Sequence, residues 1–244
     1  MSATTLTKPA ERAGSRLDTK QLVTLAMLSA IAYAVMFMSK ALPSVNGFLD
    51  FDFKDVIICV GGFIYGPLAA ALMSILVAFI ELVTISSTGL WGFLMNCLAT
   101  CAFCCTACYV YKKRHTQRGA VLGLALGVVC LVVVMLLWNF LITPIYTGYP
   151  REVVTAMLLP VFLPFNLAKG GMNMAVTLLL YKPIVTTLRR ANLAPPSHSS
   201  AQDKKLNVGF LLFSAALLAP FITTIVDALS LLIYFTIATH ILGL

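Results

Sequence analysis

Apolar residues arrive in long, nearly unbroken blocks, and polar residues gather in the short stretches between them. A helix needs about twenty apolar residues to cross the hydrocarbon of a bilayer, so each long block predicts a membrane span. The first block runs from Gln21 to Met38. A polar stretch from Ser39 to Lys54 follows, with Asp50, Asp52 and Asp55 around its end. The second block, Val56 to Tyr65, is short and stops at Gly66-Pro67. The third runs from Leu68 to Ile85, and Ser86 to Gly89 is a turn. The fourth ends at Tyr111, before a basic loop at Lys112 to Arg118. The fifth spans Ala120 to Ile142 and is followed by a loop, Thr143 to Glu152, that holds Pro144, Gly148 and Pro150. The sixth extends from Val153 to about Leu188 and carries Pro160 and Pro164. Those prolines predict a short lead-in helix and then a span from Phe165. Gly61-Gly62 and Gly66-Pro67 predict a broken second helix and a tight turn.

Composition agrees with the pattern. Of 244 residues, 60% are apolar and 11% charged, against about 25% charged in a soluble domain. No alternating strand pattern is present, which excludes a membrane barrel. The fold class is therefore all-α: a polytopic membrane protein built as a six-helix transmembrane bundle, with an extra C-terminal apolar segment long enough for a seventh span. The chain divides into a tail at 1–19, the six-helix membrane domain at 20–190, a linker at 191–207 rich in Pro, Ser and charge, and the apolar segment 208–244. That last segment holds Pro220, a candidate kink, and Asp227; a re-entrant or amphipathic hairpin is the other reading of it. The first twenty residues are polar, so no cleavable signal peptide is expected.

A net charge of +8 invites a nucleic-acid reading, which its placement removes. Lys8, Arg12, Arg16 and Lys20 precede the first block. Lys112, Lys113, Arg114 and Arg118 share one loop, and Lys182, Arg189, Arg190, Lys204 and Lys205 follow the sixth block. Thirteen of seventeen basic residues thus flank membrane spans, as expected where positive loops face the cytoplasm. With a cytoplasmic N-terminus, six spans put all three clusters inside. The loops at 39–54, 86–90 and 143–152 then face out.

Against this background a few polar residues stand out inside apolar blocks. Lys169 lies deep in an otherwise uncharged run from Val153 to Tyr181, with Asn166 three residues before it and Asn173 four after. These offsets place all three on one helical stripe. An ammonium in hydrocarbon costs several kcal/mol by most estimates and persists where a cavity or a partner meets it. Glu81 in FIELVT and Asn139 in LLWNFLITP fall at a similar depth in the outer half of the third and fifth spans. One carboxylate, one ammonium and two amides form a pocket whose formal charges cancel. Such a pocket suits a neutral or zwitterionic solute with both donors and acceptors. The competing reading is that the amides, Asn96 among them, bond neighbouring helices together.

Five cysteines crowd the fourth span: Cys97, Cys101, Cys104, Cys105 and Cys108, the last four in CAFCCTAC. Along one straight helix Cys97 to Cys108 spread over roughly 16 Å, whereas a zinc ion needs every sulfur at about 2.3 Å. Close packing of small polarisable side chains is the better reading, and no metal site is expected. No HExxH, GxSxG, Walker A loop or dinucleotide fingerprint occurs. The chain is not expected to be an enzyme and has no ATPase machinery, so uphill transport would need energy from elsewhere. In the first span Ala26, Ala30 and Ala34 form a small-residue stripe that lets another helix approach, within the chain or from a partner.

The LSAIAY segment, the GGFIYGPLAAAL turn, the acidic outer part of the third span and PFNLAKGGMNMAVTLLLYKP in the sixth together resemble a known family. The chain is similar to the substrate-capture subunits (S components) of energy-coupling-factor vitamin transporters, most of all the riboflavin-specific type, over about residues 18 to 190. The N-x-x-K-G motif is the specific part. The resemblance implies a six-helix protein of the cell membrane that captures riboflavin near the outer surface, with riboflavin as transported ligand and no cofactor. It implies partnership with a transmembrane coupling subunit and two ABC-type ATPases. Residue by residue it implies flavin contacts at Glu81, Asn139, Asn166 and Lys169, and coupling-subunit contact at Ala26, Ala30 and Ala34. The 39–54 loop matches the segment that closes over the ligand. Phe48, Trp91, Trp138 and Phe165 are candidates to sandwich the ring. Three alternatives remain open: an S component for another vitamin or flavin-like solute, a membrane thiol oxidoreductase using the fourth-span cysteines, and a structural or assembly membrane protein with no solute.

Overall fold

A computed structural model describes residues 18–40, 50–86 and 88–194, with isolated positions 212, 215, 216 and 219 beyond. The expectations for the tail at 1–17, the loop 41–49 with Phe48, and most of the linker and C-terminal segment lie outside the described residues. Seven helices cover most of the rest: α1 Thr19–Ser39, α2 Lys54–Tyr65, α3 Pro67–Thr84, α4 Gly89–Lys113, α5 Gln117–Leu141, α6 Thr143–Thr147 and α7 Arg151–Arg190. Five of them, α1, α3, α4, α5 and α7, are long and apolar enough to cross a membrane.

The order of elements follows the apolar blocks, and the second block differs from the others in kind. At 12 residues, α2 is about 18 Å long, short of the roughly 30 Å hydrocarbon layer. It is buried without interruption from Lys54 to Phe63 and packs against α1, α3, α4 and α7. A helix covered on every side takes no lipid-facing stripe. Gly61 and Gly62 do not break it, contrary to the sequence expectation. A Cβ on Gly61 would lie 2.6 Å from Met73 Sδ, and one on Gly62 would collide with Cys108 Sγ. Those glycines let α3 and α4 press close. The stop comes at Gly66, whose φ of +100° favours glycine, and Pro67 then opens α3.

The sixth block also differs from expectation. Its prolines do not split it into a lead-in helix and a span. α7 runs on for 40 residues through a π-helical turn at Leu158–Phe162 that contains Pro160. The wide turn shifts the hydrogen-bond ladder at the residue that has no N–H to give it. A second π-helical turn, Cys101–Cys105, interrupts α4 within the cysteine cluster. All seven cysteines are free thiols. Cys104 Sγ lies 3.4 Å from the Asp55 carbonyl, Cys108 Sγ 3.8 Å from the Cys59 carbonyl and Cys105 Sγ 3.5 Å from the Pro67 carbonyl. The cluster thus faces the backbones of α2 and the start of α3.

Side chains on the outside are large and apolar: Leu68, Phe79, Val129 and Leu137 are all exposed, as lipid-facing surfaces are. Inside, small residues bring backbones together. A Cβ on Gly127 would lie 2.7 Å from the Phe103 carbonyl oxygen, and one on Gly123 the same distance from that of Ala107. This fixes α5 tightly on α4. Gly170 likewise lets α7 meet Val128 and Leu131 of α5.

Candidate functional site

At the end of the bundle where α1 finishes and α2 starts, a cavity opens between α1, α3, α4, α5 and α7. Glu81, Asn139, Asn166 and Lys169 all line it, with Lys40, Asp50, Asp52 and Asn96. Its volume is about 140 Å³. The structure therefore brings the four sequence-predicted residues to one wall system. Met36, Met95, Leu131, Met135, Tyr146 and Phe165 supply its apolar part. Of the aromatic candidates, Phe165 lines the cavity and packs on Phe51 with ring centroids 4.8 Å apart. Trp138 packs against the main apolar core, and Trp91 stacks on Tyr146 at 6.5 Å.

The two amides are each half committed. Asn139 Oδ1 accepts from the Thr143 hydroxyl at 2.9 Å, and Asn166 Nδ2 donates to the Phe162 carbonyl at 2.7 Å. Both side chains are buried. Among the described residues this leaves the Asn139 Nδ2 donor and the Asn166 Oδ1 acceptor for a solute. The Phe162 carbonyl belongs to the π-helical turn, so the same irregular turn that absorbs Pro160 orients Asn166.

The charges are arranged differently from the expectation of Glu81 balanced against a lone Lys169. Lys169 Nζ meets Asp52 Oδ2 at 2.8 Å. Glu81 Oε2 accepts from Asn96 Nδ2 at 2.8 Å and from Lys54 Nζ at 3.2 Å. Lys54 also reaches Asp52 Oδ2 at 3.8 Å, while Lys40 pairs with Asp50 at 2.6 Å and Glu81 at 3.9 Å. Six side chains thus form one chain of ion pairs, Asp50–Lys40–Glu81–Lys54–Asp52–Lys169, with three cations and three anions. A buried charge of either sign is costly unless it is paired, and here every one is. Burial pushes the Asp52 carboxyl up, and the ammonium groups of Lys169, Lys54 and Lys40 more than offset it, holding the carboxyl at about 2. Asn173, the third member of the α7 stripe, donates through Nδ2 to the Asp52 carbonyl at 3.2 Å. It does not line the cavity but pins the backbone leading into α2. Asp55 accepts from the Thr100 hydroxyl at 2.7 Å.

Sequence reasoning missed Lys40, Asp50, Asp52 and Lys54 as members of this network. The signal was arithmetic: only Lys40, Lys54, Arg151 and Lys169 fall outside the three basic clusters, and three of those four meet here.

The family description "ECF transporter, substrate-specific component" matches residues 20–181. The chain belongs to this family. Curated relatives of this S component include Riboflavin transporter RibU of Staphylococcus aureus (strain TCH60), 29% identical over 70% of this chain and 93% of the relative. Riboflavin transporter FmnP of Bacillus subtilis (strain 168) is 28% identical over 72% of this chain and all of the relative. A solved S component of a bacterial ECF transporter shares its fold, with a TM-score of 0.59 at 29% identity, covering 70% of this chain and 98% of that one. The S component described here is accordingly a multi-pass membrane protein and a transport subunit rather than an enzyme.

Ala26, Ala30 and Ala34 all lie exposed on α1. The buried residues of that helix are Thr24, Leu25, Leu28, Ser29, Ala32, Met36 and Ser39. Of the two roles the stripe offered, packing against a neighbouring helix of the chain is not the one seen among the described residues.

Proposed function

We propose that this chain captures riboflavin at the outer face of the cell membrane, with its N-terminus in the cytoplasm. It then delivers the vitamin by docking on a transmembrane coupling subunit powered by two ABC-type ATPases. The observation that carries this reading is the convergence of Glu81, Asn139, Asn166 and Lys169 on one cavity. Its relatives carry the name riboflavin transporter. Riboflavin is an uncharged planar solute whose pyrimidine-like edge offers acceptors and a donor. The free Asn139 donor and Asn166 acceptor complement such an edge, and the Lys169 ammonium can meet a carbonyl or ring nitrogen. Glu81 can accept from ribityl hydroxyls or the ring N–H. Cytoplasmic placement of the N-terminus is supported by the three basic clusters, which six segments put on one side.

The test is purification from the native membrane, followed by an absorbance spectrum and mass identification of whatever co-elutes. Flavin absorption in the blue and riboflavin's mass are expected, with saturable rebinding after its removal. A different bound vitamin, or no rebinding, ends the riboflavin reading. For the thiol-oxidoreductase alternative, replacing Cys101, Cys104, Cys105 and Cys108 together by Ala should leave riboflavin binding nearly intact; loss of function on that change alone would revive it.

A further inference from the structure

Asp52 is the residue on which two ammonium groups converge, that of Lys54 buried and that of Lys169 partly buried. Its Oδ2 lies 2.8 Å from Lys169 Nζ and 3.8 Å from Lys54 Nζ. The residue is 7% exposed and its Oδ1 has no hydrogen-bond partner. Its backbone is held in turn, because Asn173 Nδ2 donates to its carbonyl at 3.2 Å. A lysine ammonium is a point charge on a flexible four-carbon stem and does not choose its own direction. The other charged groups near Lys169 do not supply a direction. Asp50 offers only a backbone carbonyl at 3.5 Å, and Glu81 is taken up by Lys54, Lys40 and Asn96.

From this geometry we infer that Asp52 is a positioning residue for solute capture, acting through Lys169. It fixes the ammonium at the cavity wall, while Lys54 behind it keeps the carboxylate neutralised. Asp52 stands in the polar stretch before α2, fifteen positions ahead of Pro67, where the nearest helix bearing one of the four candidate contacts begins. The inference rests on the riboflavin reading for its ligand, so one arm of its test needs no ligand.

That arm is labelling of Lys169 in the purified, unliganded protein with a small amine-reactive acylating reagent at fixed pH, quantified by mass spectrometry. Removing a charge-assisted bond with Asp52→Asn should raise the labelling rate of Lys169 about tenfold or more. Asp52→Glu, which keeps the carboxylate, should restore protection in large part. An unchanged rate in folded Asp52→Asn overturns the proposal, whatever the solute. The second arm is riboflavin calorimetry on a double-mutant cycle. Asp52→Asn should weaken binding about 10-fold or more in the natural background, and have almost no further effect in a Lys169→Met background. Equal losses in both backgrounds mean Asp52 acts on the fold and not through Lys169, and overturn the proposal. Should Asp52→Asn not fold, Asp52→Ser, which also removes the carboxylate, gives the same comparison in the two backgrounds. Wild-type protein that fails to bind riboflavin sinks the ligand reading alone, and the labelling arm still decides the role of Asp52.

Discussion

Lys169 was legible in the sequence because a charge in a long apolar run has no bland surroundings to hide it. The same is true of Glu81, Asn139 and Asn166. Asp52 and Lys54 went unread, since charge in a stretch between two spans is ordinary; Lys54 was marked only by standing outside the three basic clusters, and Asp52 by nothing. Two predictions belong to this scale. Lys169→Ala should lower riboflavin affinity by about 1–3 kcal/mol if it removes a buried charge-assisted bond, as read by calorimetry; unchanged binding would rule out its contact. The second concerns acid. Asp52 sits at about 2 in the folded protein, below the ordinary 3.8. A carboxyl held down by folding stabilises the protein above its unfolded value, and that stabilisation disappears as pH falls through the folded one. About 2 kcal/mol should therefore be lost between roughly pH 4 and pH 2, and Asp52→Asn should flatten that part of the thermal-unfolding profile. An identical acid limb in the variant would contradict the pairing.

At the scale of elements, the apolar blocks gave the order of the helices, and each misreading has its own cause. A π-helical turn has no sequence signature comparable to a cap or a break, so Pro160 reads as an interruption when the chain passes through it intact. Gly61-Gly62 reads as a break when it is a place of contact, because glycine's freedom and glycine's smallness look alike in one dimension. The α4–α5 seam makes the contact role measurable. Gly127→Leu would drive a side chain into the Phe103 carbonyl, where even a Cβ would stand at 2.7 Å. Overpacking of that kind costs typically about 1–3 kcal/mol, occasionally more, and should lower the melting temperature in detergent. Ala26→Leu on the exposed side of α1 should leave it nearly unchanged.

For the molecule as a whole, the bundle separates two kinds of surface. One end holds the polar cavity, and the length of α1 presents its small residues outward. If docking uses that outward stripe, Ala30→Trp should abolish co-purification with a coupling module while riboflavin affinity stays within about twofold, since distant independent sites behave additively. Loss of both together would place the stripe in the fold. Fold class and the four candidate contacts were thus readable from where polarity interrupts apolar blocks. The network that sets their charge was not, because the link that joins it to α7, Asp52 to Lys169, connects residues 117 positions apart.

The ion-paired chain of three ammonium and three carboxylate groups has a consequence for energetics across the bilayer. Moving a unit of charge through a transmembrane voltage involves about 2.3 kcal/mol per 100 mV. A cavity whose linked charges already sum to zero, taking up an uncharged vitamin, displaces none. Capture should therefore be electrically silent, with the same affinity in polarised and depolarised vesicles, so the membrane voltage does no work in it.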